Sequence, residues 1–231
     1  MEDFLPILNK CRLFNGLSED CIRQVLLPLG TAQSYSKNTQ LITPHQQVDW
    51  FGVVLEGCIQ ILQIFSNGAT SLMQNLLPSF GLGLDLICTN SRLSPYYAIS
   101  STPVQVLIFP AEVLLQPRKI PEADRLAMQG NFLTLLSQEN MRKHNRMAIL
   151  SQRGLRDRVL TYLSLQASHK EASSFHIPFS REELADFLCV NRSALSHELS
   201  RMEQEGLIRF RKDRFTLLPE GEEQSAWSLS L

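Results

Sequence analysis

Residues 179–208 read FSREELADFLCVNRSALSHELSRMEQEGLI, and this stretch decides the fold. Ser180 and Glu183 have the spacing of a capping box, in which the serine oxygen accepts from the amide three residues on and the glutamate reaches back to the serine amide. The pattern predicts a helix that begins after Ser180 and buries Leu184 and Leu188 on one face. The helix is short, because its apolar spacing stops at Leu188.

A second helix is predicted to begin at Asn191, since asparagine favours the N-cap position. Leu195, Leu199 and Met202 recur at helical spacing and predict its buried face. The opposite face carries donors and acceptors with few acids: Arg192, Ser193, Ser196, His197, Ser200, Arg201 and Gln204. Two short helices joined by a tight turn, the second one polar and rich in arginine, are typical of a helix that enters the major groove of DNA.

A hairpin is predicted directly after this helix pair. Gly206 is suited to end the second helix, and residues 207–211 and 214–218 then read as two strands joined by a turn at Lys212 and Asp213. We interpret the hairpin as a wing whose basic side chains contact phosphates. These side chains are Arg209, Arg211, Lys212 and Arg214.

The segment resembles the winged helix-turn-helix of bacterial transcription regulators of the Crp/Fnr type. The resemblance covers about forty residues and implies that Arg192, Ser193, Ser196 and His197 read base edges. It extends the expected DNA contacts to Ser200, Arg201 and Arg181. Cys189 is a departure from the family, which often has glycine at that turn position, where φ can be positive.

The charge of the chain is unevenly distributed, although its net charge is only −1. Residues 141–218 hold 14 Lys or Arg against 9 Asp or Glu, whereas residues 1–140 hold 8 against 11. A basic module joined to an acidic one favours a nucleic-acid reader fused to another domain. An ordinary solvated surface would also explain the charge, and the helix pair decides between the two.

Composition excludes several other classes of protein. No run approaches the roughly 18 to 20 apolar residues of a membrane span, and the chain opens on Met1-Glu2-Asp3, unlike a basic signal peptide. Five scattered cysteines do not form a secreted disulfide framework. We therefore expect a cytoplasmic protein without a membrane partner.

Residues 33–110 predict many short antiparallel strands, at the apolar or alternating runs 41–42, 50–55, 59–65, 72–77 and 104–109. Asn67-Gly68 is the strongest hairpin signal among them. The segment FGVVLEGCIQIL, residues 51–62, resembles the strand-glycine-strand pattern of the cyclic-nucleotide-binding β-roll of the same family. The resemblance implies a jelly-roll-like sensor domain.

Residues 121–150 predict one long helix. An apolar stripe with near-heptad spacing runs along it: Leu126, Leu133, Leu136, Met147 and Leu150, with Asn140 on the same stripe. A second set, formed by Met128, Phe132 and Leu135, is expected to pack on the roll. We interpret the stripe as a dimer contact, because a reader of two half-sites needs recognition helices about 34 Å apart. A helix buried within one chain remains the alternative.

The predicted fold class is therefore α+β, with an N-terminal antiparallel β-roll, a long central dimerisation helix and a C-terminal winged helix-turn-helix. We expect a sensor domain at residues 1–119, the dimerisation helix at 120–150, the DNA-binding domain at 151–218 and a polar tail at 219–231. Within the DNA-binding domain a helix is predicted over 155–165, and residues 167–174 read as a polar loop.

The effector pocket is expected among FGLGLDLICTNSRLSPYYAIS, residues 80–100. The resemblance implies that cyclic-nucleotide binders place a glutamate at the position of Leu84, or of Asp85, and an Arg-Ser or Arg-Thr pair where this chain has Ser94-Pro95. Cyclic AMP is therefore not the expected effector. Leu84, Asp85, Tyr96 and Tyr97 are the candidate pocket residues for an unidentified small molecule, although ordinary core packing would also explain Leu84 and the two tyrosines.

Two other functions stay open at this point. A cupin-like enzyme with an appended helical domain would need clustered metal ligands, but the five histidines are dispersed. A redox-sensing regulator would use cysteine thiols, whereas an iron–sulfur cluster needs closely spaced cysteines that the chain lacks. We expect no catalytic residue, metal site or cofactor. The expected partners are double-stranded DNA, a second copy of the chain, a small-molecule effector and RNA polymerase.

Overall fold

The computed structural model of this chain describes residues 4–66, 68 and 70–219. Asn67 of the predicted hairpin, and the predicted tail apart from Pro219, lie outside the described residues. The chain divides into two compact units, Met1–Gln138 and Glu139–Leu231. None of the helices described is long and apolar enough to cross a membrane.

The helices and strands follow one another in an α+β order. The helices are α1 Leu5–Leu8, a 3-10 turn Arg12–Phe14, a π-helical stretch Cys21–Leu26, α2 Leu27–Leu29, α3 Glu112–Leu115, α4 Glu122–Leu150, α5 Leu155–Lys170, α6 Arg181–Phe187 and α7 Arg192–Gln204. The strands are β1 Thr31–Tyr35, β2 Gln40–Ile42, β3 Trp50–Glu56, β4 Ile59–Ile64, β5 Thr70–Leu76, β6 Gly81–Leu82, β7 Tyr97–Ser100, β8 Val104–Pro110, β9 Ser174–His176, β10 Ile208–Arg211 and β11 Arg214–Leu217.

The first unit contains the predicted roll. Two four-stranded antiparallel sheets, β1-β8-β3-β6 and β2-β7-β4-β5, enclose a core that includes Val54, Ile59 and Val106. Gly57 joins β3 to β4 at φ +82°, and a Cβ there would lie 2.2 Å from the carbonyl oxygen of Pro103. Only glycine fits this turn, which explains the strand-glycine-strand pattern.

A second core covers the outer face of the first sheet. Phe51 and Phe109 stack at 5.1 Å between ring centroids and pack with the N-terminal helices. Met128 and Phe132 of α4 are buried in the same cluster, as predicted. Leu136, which the sequence placed on the dimer stripe, is partly buried against this core instead, because its helical position turns it toward Phe132.

Three strands of the roll were not predicted: β1, β6 and β7. β1 reads TAQSY and is mostly exposed, so it lacks an apolar alternation, yet it pairs with β8 in continuous register from Thr31↔Ile108 to Tyr35↔Val104. Backbone pairing alone defines this strand. The long helix α4 is confirmed.

In the second unit, the described residues after α4 form the helices α5, α6 and α7 and a small sheet of order β10-β11-β9. α5 continues to Lys170, so the predicted loop from residue 167 was wrong over its first residues. The helix ends where Glu171 takes a left-handed φ of 48°. β9 follows and pairs with β11 through Phe175↔Phe215.

Candidate nucleic-acid interface

The capping box that starts α6 is present. The Ser180 hydroxyl oxygen accepts from the Glu183 amide at 3.2 Å, and the Glu183 carboxylate accepts from the Ser180 amide at 2.7 Å. Leu184, Ala185 and Leu188 are buried in the core of the second unit. The sequence signal therefore fixes both the start of α6 and the face that it buries.

The turn after α6 is a Schellman motif with cysteine at its left-handed position. The Val190 amide donates to the Ala185 carbonyl at 3.0 Å, and the Cys189 amide donates to the Asp186 carbonyl at 3.1 Å. Cys189 has φ +57°. Glycine is the usual residue in this conformation, since a Cβ is strained there. The tight turn is formed despite the cysteine.

α7 begins at Asn191, whose side-chain oxygen accepts from the Ala194 amide at 2.7 Å. Leu195, Leu199 and Met202 are fully buried and fix the rotation of the helix. The side chains that the sequence placed on its outer face are all exposed: Arg192, Ser193, Ser196, His197, Ser200, Arg201 and Gln204. The structure thus brings these side chains, six of them predicted DNA contacts, together on one helix face.

Three of the six predicted contacts already have partners within the chain. The Ser193 hydroxyl donates to the Asn191 side chain at 2.8 Å, and the Ser200 hydroxyl donates to the Ser196 carbonyl at 3.1 Å. The Arg201 guanidinium lies between two carboxylates, 3.7 Å from Glu198 and 3.6 Å from Glu205. Arg192 and His197 are both exposed at the N-terminal half of the face.

Sequence reasoning missed the residue that ties α7 to α5. Arg156 donates to Glu198 at 2.9 Å and to both carboxylate oxygens of Glu205 at 2.5 and 2.9 Å. These bonds raise the pKa of Arg156 and lower the pKa of Glu205. The partners are 42 and 49 residues apart in sequence, so no local pattern could have signalled the pairing.

The predicted wing is formed by β10 and β11, which pair from Ile208↔Leu217 to Arg211↔Arg214. Lys212 turns the chain between them at φ +56°. The four basic side chains assigned to phosphates are exposed: Arg209, Arg211, Lys212 and Arg214. Gly206 has φ +76° just after α7, as predicted for a residue that ends the helix.

Arg181, also expected to contact DNA, is half-buried. Its guanidinium lies 4.9 Å from the ring centre of Phe210 and 5.5 Å from that of Phe215. It also donates to the Lys212 carbonyl at 3.2 Å. Burial, and then the charge of Arg192, lower the pKa of Arg181.

The four candidate effector residues do not form one cluster in the roll. Tyr96 donates its phenolic hydrogen to Asp85 at 2.8 Å, and both side chains are partly buried. Leu84 packs against the core that contains the N-terminal helices, whereas Tyr96 packs against the core between the two sheets. Tyr97 begins β7 opposite Leu62 of β4. The structure therefore pairs Asp85 with Tyr96 and places Leu84 in another cluster.

Arg92, the basic residue nearest in sequence to the expected phosphate position, forms an ion pair with another residue of the roll. Its guanidinium lies 2.7 Å from the Asp49 carboxylate. Its backbone has φ +51°, and its amide donates to the Thr89 hydroxyl at 3.0 Å. Ser94 is buried and bonds to the backbone of Tyr96.

Comparison with known proteins decides what the helix pair and the wing are. Residues 157–220 match the family model of the Crp-like helix-turn-helix domain. The C-terminal part of this chain is therefore similar in sequence to the Crp-like helix-turn-helix domain. Within the matched region α6 and α7 form the helix pair and β10–β11 forms the hairpin that follows, and the resemblance to Crp/Fnr-type regulators is confirmed.

Relatives extend beyond the Crp-like domain. A protein named as a probable transcriptional activator from Rhizobium leguminosarum bv. viciae is 24% identical over 190 residues, which cover 80% of this chain and 75% of the relative. The transcriptional activator protein FnrL of Cereibacter sphaeroides is 22% identical over 199 residues, with the same two coverages. Both relatives are transcription regulators by name.

Solved structures with the same fold include CprK (C200S) complexed with OCPA. It is 18% identical, has a TM-score of 0.64 and aligns over 87% of this chain and 92% of its own. At this identity the likeness concerns the fold alone. It supports the order of a roll, a long helix and a Crp-like domain.

The cysteines of the chain are all free, and most are placed away from reactive settings. Cys11 and Cys21 are buried, and burial raises the pKa of each thiol to about 11. Burial is also the main reason that the pKa of Cys88 is raised, although its side chain is classed as exposed. A raised pKa leaves less thiolate at neutral pH, which disfavours thiol reactivity.

Proposed function

We propose that this protein regulates transcription by binding specific duplex DNA as a homodimer, with α7 of each copy in a major groove. The observation that carries the proposal is the exposed face of α7, whose orientation is fixed by three fully buried apolar residues. The family match over the Crp-like domain supports it independently. A helix whose rotation is fixed, and whose outward side chains are short and polar or cationic, can form hydrogen bonds with base edges in the major groove.

Each side chain of the face has a proposed role. Arg192 donates two hydrogen bonds to guanine, because a guanidinium matches the two acceptors of that base. Ser193, Ser196 and His197 contact neighbouring bases, with Ser200 and Arg201 further along the helix. The wing cations contact phosphates: Arg209, Arg211, Lys212 and Arg214. Phosphate contacts position the protein but carry no sequence information.

The dimer contact is proposed to run along α4. Leu126, Leu133 and Met147 are 59%, 65% and 65% exposed, although all three are large and apolar. They fall on a seven-residue repeat whose remaining member is Asn140, which is also exposed. A heptad of this kind is stabilised by a second helix, and asparagine at such a position specifies register. Residues 120–150 are therefore the proposed dimerisation segment, between a sensor at 1–119 and a DNA-binding domain at 151–218.

The roll is proposed to bind a small-molecule effector other than cyclic AMP. A cyclic phosphate needs a guanidinium or a cluster of amides. Arg92 forms an ion pair with Asp49, and the Asp85 carboxylate would repel a phosphate near Tyr96. Effector binding would shift the equilibrium between two forms of the dimer whose recognition helices are spaced differently.

Contact with RNA polymerase stays a prediction. A regulator of this kind is expected in the cytoplasm, where bacterial DNA lies.

The alternatives of a cupin-like enzyme and of a thiol-based redox regulator are not favoured. Among residues 4–66, 68 and 70–219, no group of three or more His, Cys, Asp or Glu side chains is placed to hold a metal ion. The relatives are named as transcription regulators. We therefore propose a protein that is not an enzyme.

Selection from a random duplex library tests the proposal. The full chain is expected to enrich a two-fold symmetric site whose half-site centres lie about 34 Å apart. The selection is run without additive and with a bacterial small-molecule extract, so that an effector requirement is met. Recovery of sequences with no shared motif in both conditions would contradict sequence-specific binding, and a single half-site would contradict the dimer.

A further inference from the structure

Arg181 occupies the first position of α6, directly after the N-cap residue Ser180. The two reciprocal bonds between Ser180 and Glu183 fix the backbone of this first turn. The Arg181 side chain therefore leaves the helix from a rigid point. It is directed toward the wing and contacts the wing turn at the Lys212 carbonyl.

The guanidinium covers an aromatic pair of the wing. Phe210 and Phe215 are cross-strand partners whose rings stack at 5.7 Å with an interplanar angle of 20°. The Arg181 guanidinium carbon lies within 5.5 Å of both ring centres. A planar cation over aromatic faces is a favourable contact that uses the face of the guanidinium.

The edge of the same guanidinium holds the wing turn. One Arg181 nitrogen donates to the carbonyl of Lys212, the residue that makes the turn in a left-handed conformation. The other side of the turn is held from β9, because the Ile177 amide donates to the Asp213 carbonyl at 2.9 Å. His176 adds a contact of 2.9 Å to the Asp213 carboxylate. The turn is therefore held from two elements of the domain.

We propose that Arg181 is a positioning residue for the wing, and that it strengthens DNA binding through Lys212 rather than by touching DNA itself. This inference rests on the proposed function, in which Lys212 contacts a phosphate. Stacking and the bond to the Lys212 carbonyl hold the turn in one conformation before DNA arrives. Lys212 then reaches its phosphate without the entropic cost of ordering the wing.

A double-variant cycle tests the inference. Each phosphate contact contributes a slope of about −0.9 to the plot of log affinity against log salt concentration. Lys212→Gln is expected to reduce the slope by about that amount, and Arg181→Ala is expected to do the same by releasing the turn. The double variant should match the single variants within about twofold in affinity, since the two residues act as one unit. The inference would be overturned if the double variant lost twice as much of the salt slope as either single variant. An unchanged slope in Lys212→Gln would also overturn it.

Two further measurements separate wing positioning from general stability. Hydrogen exchange of the amides of residues 210–213 should be faster in Arg181→Ala than in the wild type, while α5 amides stay unchanged. Arg181→Lys keeps the charge but loses the planar group, so it should bind as weakly as Arg181→Ala. Full binding by Arg181→Lys, or unchanged wing exchange in Arg181→Ala, would contradict the role. A wild-type chain that binds no DNA would instead overturn the proposed function together with this inference.

Discussion

Arg156 and Glu205 form a bidentate ion pair at the C-terminal end of α7, with N–O distances of 2.5 and 2.9 Å, and so join α5 to α7. The third nitrogen of the same guanidinium bonds to Glu198 on α7. Only arginine can present this fork to a carboxylate. The pair fixes the far end of α7, whereas the Asn191 cap fixes its start.

Arg156→Lys is expected to lower the unfolding temperature, because an ammonium group cannot make the parallel bonds. The control is Arg153→Lys, a nearby arginine that takes no part in the fork. Thermal unfolding at pH 7 followed by circular dichroism measures the difference. Equal unfolding temperatures for Arg156→Lys and the wild type would show that the ion pair contributes nothing to stability.

The same pair predicts a pH dependence. Arg156 lowers the pKa of Glu205 below its ordinary value of 4.5. A carboxylate with a lowered pKa in the folded state stabilises the fold above its unfolded pKa, and the stabilisation is lost as pH falls through the folded pKa. The gap in unfolding temperature between the wild type and Arg156→Ala should therefore be constant above about pH 5 and should shrink below it. A gap that stays constant to pH 3 contradicts this coupling.

The phenol groups of Tyr162, which is buried, and Tyr96, which is partly buried, should respond in opposite ways to the loss of the hydroxyl. The Tyr162 hydroxyl is buried without a hydrogen-bond partner among the residues described, whereas Tyr96 donates to Asp85. Tyr162→Phe is expected to raise the free energy of unfolding by about 1 kcal/mol, because it removes an unsatisfied polar group. Tyr96→Phe is expected to lower it by about 1 to 2 kcal/mol, because it leaves the carboxylate without its donor. Urea denaturation measures both, and a loss of stability in Tyr162→Phe would contradict the burial argument.

Cys189→Gly is expected to stabilise the helix-turn-helix. The φ of +57° at Cys189 places its Cβ in a strained position, and removing the Cβ should recover about 1 kcal/mol. Cys189→Ala is the matched control, since alanine keeps the Cβ and removes only the thiol. A gain in the alanine variant equal to that in the glycine variant would assign the effect to the thiol.

If the seven-residue repeat on α4 forms the dimer contact, Leu133→Glu is expected to produce a monomer. A carboxylate buried between two helices opposes their association, and Leu133 is one of the two inner members of the seven-residue repeat on α4. Met141→Glu is the control, because Met141 is also exposed but lies next to the repeat rather than on it. Analytical ultracentrifugation measures the mass of each variant. A dimer in Leu133→Glu would show that the contact lies elsewhere.

Local signals predicted the elements that their own residues define. The Ser180–Glu183 capping box, the Asn191 cap and Gly206 each act within a few residues, and each appears where expected. Long apolar periodicity likewise predicted α4. Features of this kind can be predicted because their energetics are local.

Features that depend on distant partners could not be predicted in this way. β1 is a polar segment that becomes a strand only by pairing with β8, about 75 residues away in sequence. The Arg156 contacts span α5 and α7, and the position of Arg181 under the wing depends on the pairing of Phe210 with Phe215. Leu136 shows the same limit, because periodicity alone did not separate the exposed stripe of α4 from the face that meets the roll.

In the proposed function the outer face of α7 reads base edges, whereas the wing contacts phosphates. Fluorescence anisotropy with a selected site and with a random duplex of equal length tests it in the wild type, Arg192→Ala and Arg211→Ala. Arg192→Ala should reduce the difference in binding free energy between the selected site and the random duplex by about 1 to 3 kcal/mol. Arg211→Ala should weaken binding to both duplexes alike and leave this difference unchanged. Equal losses on both duplexes in both variants would contradict the assignment of base reading to α7.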